Sequence, residues 1–110
     1  MIRAVEIWHN PRCSKSRQAL AGLEAKGITP VIRLYLTEPP SDTELRAMLT
    51  ALRLPAAALL RKDAGVPRDA SESEILTAMA ADPALIERPV IRHGERAVIG
   101  RPTGAIDTFF

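Results

Sequence analysis

The sequence predicts an α/β fold: a mixed four-stranded sheet with helices on its faces and a helical insertion between the second and third strands. Three features predict it. A strand, a helix and a second strand follow one another at the start of the chain. A block of capped helical segments comes next. Two short β-rich runs joined by a glycine-containing turn then precede a final short helix.

The first strand is read over residues 2–8, with Val5, Ile7 and Trp8 as its apolar side chains. His9-Asn10-Pro11 breaks it, because the residue before a proline is pushed out of the helical region. A helix follows from Ser14 to Lys26. Ala19, Leu20 and Leu23 form its apolar face, and Gly27 stands where a C-terminal glycine cap belongs. Val31 to Leu36 is the second strand, parallel to the first and reached by a right-handed crossover.

Glu38-Pro39-Pro40 stops that strand. Ser41 with Glu44 makes a capping box, and Leu45, Met48, Leu49 and Leu52 form a buried stripe at helical spacing. Pro55 restarts a short helical piece that ends in Leu59-Leu60-Arg61-Lys62. Residues 63–70, with Gly65, Pro67 and two aspartates, form a loop. Ser71 with Glu74 makes a second capping box for a helix that carries Ile75, Leu76 and Met79 and stops at Asp82-Pro83. Val90–Arg92 and Ala97–Ile99 are short strands around the turn His93-Gly94-Glu95. Thr103 can cap a terminal helix. This order is the thioredoxin-like arrangement, in one domain over residues 1–110, with the insertion at about 41–85.

Composition narrows the function classes. A chain of 110 residues with 46% hydrophobic and 25% charged residues suits a soluble globular domain, not a disordered segment or a coiled coil. The net charge is only +2 and the Lys and Arg residues are scattered, so no nucleic-acid partner is expected. Apolar runs are too short for a signal peptide or a membrane span, so neither membrane nor export is expected. One cysteine, Cys13, excludes an internal disulfide framework and a cysteine-rich zinc site and suits a reducing compartment. The expectation is a cytoplasmic monomer with no bound metal or cofactor.

Cys13 carries the chemistry. It lies between a strand end and a helix start, in His9-Asn10-Pro11-Arg12-Cys13-Ser14-Lys15-Ser16-Arg17. An unperturbed thiol has a pKa of about 8.5 and is mostly protonated at neutral pH. Backbone N–H groups at a helix N-terminus favour an anion, and so a thiolate. Arg12, Lys15 and Arg17 add positive charge, and Ser14 and Ser16 can donate hydrogen bonds. A lone cysteine is more often a small buried hydrophobe, but not among polar and basic neighbours at a strand-to-helix turn.

The loop resembles the active-site loop of the glutathione- and glutaredoxin-dependent arsenate reductase (ArsC) family. The likeness continues in order through Leu34-Tyr35-Leu36, Glu38-Pro39-Pro40, Leu59-Leu60-Arg61-Lys62, Glu87-Arg88-Pro89-Val90 and Gly100-Arg101-Pro102. The resemblance implies a nucleophilic Cys13 and three arginines, Arg61, Arg88 and Arg101, that bind the arsenic oxyanion. It implies that His9 and Ser16 support the thiolate and that the bond before Pro89 is cis. Guanidinium suits this task, since a planar fork contacts two oxyanion oxygens and keeps its charge when partly buried. Arg33, Arg46, Arg53 and Arg68 are read as solvated surface side chains. The stretch from Arg61 to Arg88 is shorter than in the best-known members, with a compact loop at residues 63–73.

The resemblance further implies arsenate as substrate, glutathione as co-substrate and glutaredoxin as protein partner. Two alternatives stand beside it. One is an ArsC-like thiol oxidoreductase with another substrate. The other is an Spx-type regulator that binds RNA polymerase, although such regulators carry a Cys-x-x-Cys pair where this chain has Cys13 followed by Ser16.

Overall fold

Strand β1 (Val5–Trp8) pairs in parallel with β2 (Val31–Arg33) and antiparallel with β3 (Val90–His93), and β3 pairs antiparallel with β4 (Arg96–Ile99). The sheet order is β2-β1-β3-β4. These elements come from a computed structural model that describes residues 4–62, 64–67, 69–100 and 105–109. The parallel β1–β2 pair needs a crossover, which helix α1 (Ser14–Ala25) supplies. Gly27, at φ 79°, takes the left-handed conformation just beyond α1, and its N–H returns to the Glu24 carbonyl at 2.9 Å. Thr103, expected as the cap of the last helix, lies outside the described residues; helix α5 is Ala105–Phe109.

Strand alternation sends the apolar residues to two cores. Val5 and Ile7 of β1 and Ile91 of β3 pack with Ala19 and Leu23 of α1 and Ile106 of α5. Trp8 and Val90 point the other way and join the larger cluster. That cluster is closed by helices α2 (Asp42–Leu52), α3 (Ala56–Leu59) and α4 (Glu72–Ala81) of the insertion, with a 3₁₀ turn at Pro83–Leu85. Ser41–Glu44 and Ser71–Glu74 are both complete capping boxes, with side chain and backbone bonded in each direction. This mixed sheet with helices on both faces is the thioredoxin-like α/β fold.

Three expectations need correction. The second strand is three residues long, not six. Beyond Arg33 the chain turns, with the N–H groups of Thr37 and Glu38 both donating to the Leu34 carbonyl, at 3.0 and 2.9 Å. Its partner β1 leaves the sheet at the same level, at His9, so no edge remains for Leu34 onward to pair with. The third helical piece ends at Leu59, not at Lys62. Leu60 instead makes an antiparallel bridge with Ile86, flanked by Arg61 N–H to Leu85 carbonyl at 2.9 Å and Glu87 N–H to Leu59 carbonyl. This bridge brings the segments of Arg61 and Arg88 side by side.

Arg33 is not a solvated surface residue. Its guanidinium pairs with the Glu44 carboxylate, donates to the Glu38 and Pro39 carbonyls at 3.1 and 3.2 Å, and stacks 6.0 Å from the Trp8 ring. It ties the end of β2 to the start of α2. Arg46 pairs with Asp42 on the surface, Arg53 is the exposed left-handed residue that ends α2, and Arg68 lies outside the described residues.

Candidate active site

Cys13 is the N-cap residue of α1, with extended backbone (φ −94°, ψ 122°). Its side chain does not close the helix end as serine or aspartate would, and the first turn of α1 holds no acidic residue. The Lys15 and Ser16 N–H groups act on the sulfur as nearby dipoles, without a capping hydrogen bond. The turn that presents it is tied by Cys13 N–H to the Asn10 carbonyl and Arg17 N–H to the Cys13 carbonyl, both at 3.0 Å.

The half-buried thiol feels opposing effects. Burial alone pushes its pKa up. The Ser16 N–H, the Arg88 guanidinium hydrogen-bonded to the sulfur, and the Lys15 N–H outweigh that, and the net direction is down. Among the described residues, Arg88 is the cation that acts on the sulfur. Arg17 donates to the Pro11 carbonyl at 2.9 Å from an exposed position.

Arg88 sits between Glu87, whose carboxylate lies 3.6 Å from its guanidinium, and a cis bond to Pro89. Gly100 backs Pro89: its N–H donates to the Pro89 carbonyl at 2.9 Å, and a Cβ there would come within 2.8 Å of the proline ring. Only glycine lets β4 approach this closely. Arg61 reaches the same cleft from the Leu60–Ile86 bridge, and its guanidinium donates to the Ala84 carbonyl at 3.4 Å. Arg61 and Arg88 share a cleft of about 930 Å³ with Lys15, Lys62 and Glu87, over apolar walls from Leu54, Val98 and Ile99. Arg101 lies outside the described residues.

His9 and Ser16 form a pair behind the loop. The His9 Nδ1 and Ser16 Oγ are 2.6 Å apart, and Ser16 Oγ also accepts the Asn10 N–H at 3.0 Å. Burial and then the charge of Arg17 lower the His9 pKa, so the imidazole is neutral at pH 7. Ser16 therefore acts on the sulfur through its backbone N–H, while its hydroxyl braces the loop with His9.

Sequence reasoning missed Tyr35 as a member of the site, although it stands within one of the quoted motifs. It is 1% exposed, in the cluster with Trp8, Leu45 and Met48. Burial raises its pKa, with Arg88, Cys13 and Arg61 all within electrostatic reach. Lys62 and Glu87 were visible only as neighbours of Arg61 and Arg88. No group of three His, Cys, Asp or Glu residues among those described is placed to hold a metal ion, and no described helix is long and apolar enough to cross a membrane.

A thioredoxin-like fold that presents one activated thiol beside an arginine-lined cleft defines a class of thiol-dependent proteins. The model of the ArsC family matches residues 8–109. An arsenate reductase of Haemophilus influenzae is 41% identical over 107 residues, covering 90% of this chain and 92% of that one. One of Neisseria meningitidis is 38% identical over 111 residues, covering 94% and 95%. The solved arsenate reductase of Vibrio cholerae superposes over the whole of both chains with a TM-score of 0.92 at 35% identity. The chain belongs to the ArsC family.

Proposed function

We propose that this protein is an arsenate reductase that works through a Cys13 thiol–arsenate adduct resolved by glutathione and glutaredoxin. One observation carries the reading: the Cys13 sulfur stands at the N-terminus of α1, where the Ser16 N–H, the Arg88 guanidinium and the Lys15 N–H outweigh burial and lower its pKa. The same donors that favour a thiolate suit an oxyanion bound beside it. The names of the similar proteins supply the oxyanion.

The Cys13 thiolate attacks arsenic and forms a sulfur–arsenic bond as an oxygen leaves, protonated, as water. Arg88 and Arg61 stabilise the remaining oxygens from the two sides of the Leu60–Ile86 bridge, and Arg101 joins them on the family resemblance. The cleft of about 930 Å³ exceeds what one tetrahedral oxyanion fills, which leaves room for a thiol co-substrate. Reduction of As(V) to As(III) takes two electrons. Two external thiols, one of glutathione and one of glutaredoxin, supply them and end as a mixed disulfide, while arsenite leaves and Cys13 returns as a thiolate. The sequence holds one cysteine, so both thiols come from outside. We place the reaction in the cytoplasm, catalysed by a monomer without metal or bound cofactor.

The test is NADPH oxidation in a coupled assay with arsenate, glutathione, glutathione reductase and a panel of glutaredoxins. Turnover that requires arsenate, glutathione and a glutaredoxin is expected, and none from Cys13→Ser. Turnover retained by Cys13→Ser would contradict the assignment.

A further inference from the structure

We propose that Glu87 sets which oxyanions the cleft accepts. Its carboxylate takes a hydrogen bond from a protonated oxygen of the ligand and repels tetrahedral anions that carry no proton. The inference deepens the reading of the cleft as an oxyanion site beside Cys13 and rests on it, but not on arsenate being reduced there.

Among the described residues that line the cleft, Lys15, Arg61, Lys62 and Arg88 are cations, and Glu87 is the one acid. An acid is the wrong charge for a wall that binds anions, yet this one is held in place. Its backbone N–H donates to the Leu59 carbonyl beside the Leu60–Ile86 bridge. Its side chain is 17% exposed, and Oε1 accepts the Arg88 N–H at 3.2 Å and lies 3.6 Å from the Arg88 guanidinium. Orienting Arg88 explains only part of this. An acceptor oxygen does that, and glutamine would supply one without the charge. The charge has a use when the ligand brings a proton. A carboxylate has about four acceptor positions over its two oxygens, so one that holds Arg88 can also accept from a ligand hydroxyl. Near neutral pH arsenate and phosphate keep at least one hydroxyl each. Sulfate is a dianion of nearly the same shape and has none. To a protonated anion Glu87 offers a charge-assisted hydrogen bond. To a bare one it offers repulsion at close range in a half-buried site. Discrimination then turns on one proton, not on size or total charge.

The readout is protection of Cys13 from iodoacetamide by phosphate and by sulfate, in the full chain, for wild type and Glu87→Gln. The measurement is made at about pH 8, where both anions are mainly dianions, with ionic strength held constant by chloride. Circular dichroism checks the fold of the variant. In the wild type, phosphate is expected to protect at a concentration at least about tenfold lower than sulfate. Glu87→Gln keeps an acceptor oxygen for the Arg88 N–H. In that variant the two anions are expected to come within about twofold of each other, chiefly because sulfate binds more tightly. Equal protection by the two anions in the wild type overturns the proposal and leaves the oxyanion site intact, and that comparison needs no variant. A preference for phosphate that persists in folded Glu87→Gln overturns it too, because the proton is then read elsewhere. So does a parallel weakening of both anions, the mark of a residue that only orients Arg88. Protection by neither anion overturns the reading of the cleft as an oxyanion site and the proposal with it.

Discussion

Helix α1 and the two insertion helices α2 and α4 begin in opposite ways. Ser41 and Ser71 close their helix ends with complete capping boxes, and Asp42, Glu44, Glu72 and Glu74 put negative charge in the first turns. Those ends satisfy their own N–H groups and the positive end of the helix dipole from within. At α1 the cap position is a cysteine, the first turn has no acid, and the cation that faces it, Arg88, comes from a distant segment. The insertion spends its helix ends on stability. Helix α1 leaves its end available for a sulfur anion and a bound oxyanion, and Arg88 adds to that demand for negative charge.

The comparison breaks first at the cap itself. Cys13→Ser is expected to abolish arsenate turnover, a loss of at least about a thousandfold. The same change leaves stability unchanged or raises it by about 0.5–1 kcal/mol in thermal melts, because serine is a good N-cap. Loss of both activity and stability would mean that the two kinds of helix start are not different after all. Next in size is Arg88→Ala, for which kcat/KM should fall about a hundredfold with a small change in Tm. Arg88→Lys should recover only part of it, since an ammonium lacks the planar fork.

The smallest effect lies on the other side of the comparison. The Arg33 guanidinium, and then the Ser41 N–H, hold the Glu44 carboxyl down from 4.5 to about 2. A folded value below the unfolded one means the native state binds fewer protons. This stabilisation is therefore present above pH 4.5 and lost as pH falls through about 2. The side chain is 44% exposed, so solvent screening limits the effect to about 1 kcal/mol. Denaturant melts of Glu44→Gln should show that loss at neutral pH and a flatter acid limb, while the Cys13 titration stays where it was.

Local signals were readable. The capping boxes, the stop at Gly27 and the apolar stripe of α2 depend on residues a few positions apart, and the structure has them where their spacing says. The places where reading failed depend on distant partners. Leu34–Leu36 are as apolar as a strand needs, but β1 has left the sheet where they would pair. Leu60 and Arg61 look helical until Ile86 offers a bridge. Arg33 reads as a surface charge until Glu44 and Trp8 surround it. Tyr35 reads as one more apolar strand position, because nothing near it in the chain announces that it lies within electrostatic reach of Arg88 and Cys13. Spacing placed Cys13 at a helix start, but only the family resemblance singled out Arg61 and Arg88, which come together through long-range pairing.

Ultraviolet titration of the Cys13 thiolate in the full chain tests most directly that the α1 N-terminus and Arg88 hold a sulfur anion. A midpoint below the ordinary cysteine value of about 8.5, rising toward it in Arg88→Ala, is the predicted result. A midpoint at or above that value in the wild-type protein would contradict the account.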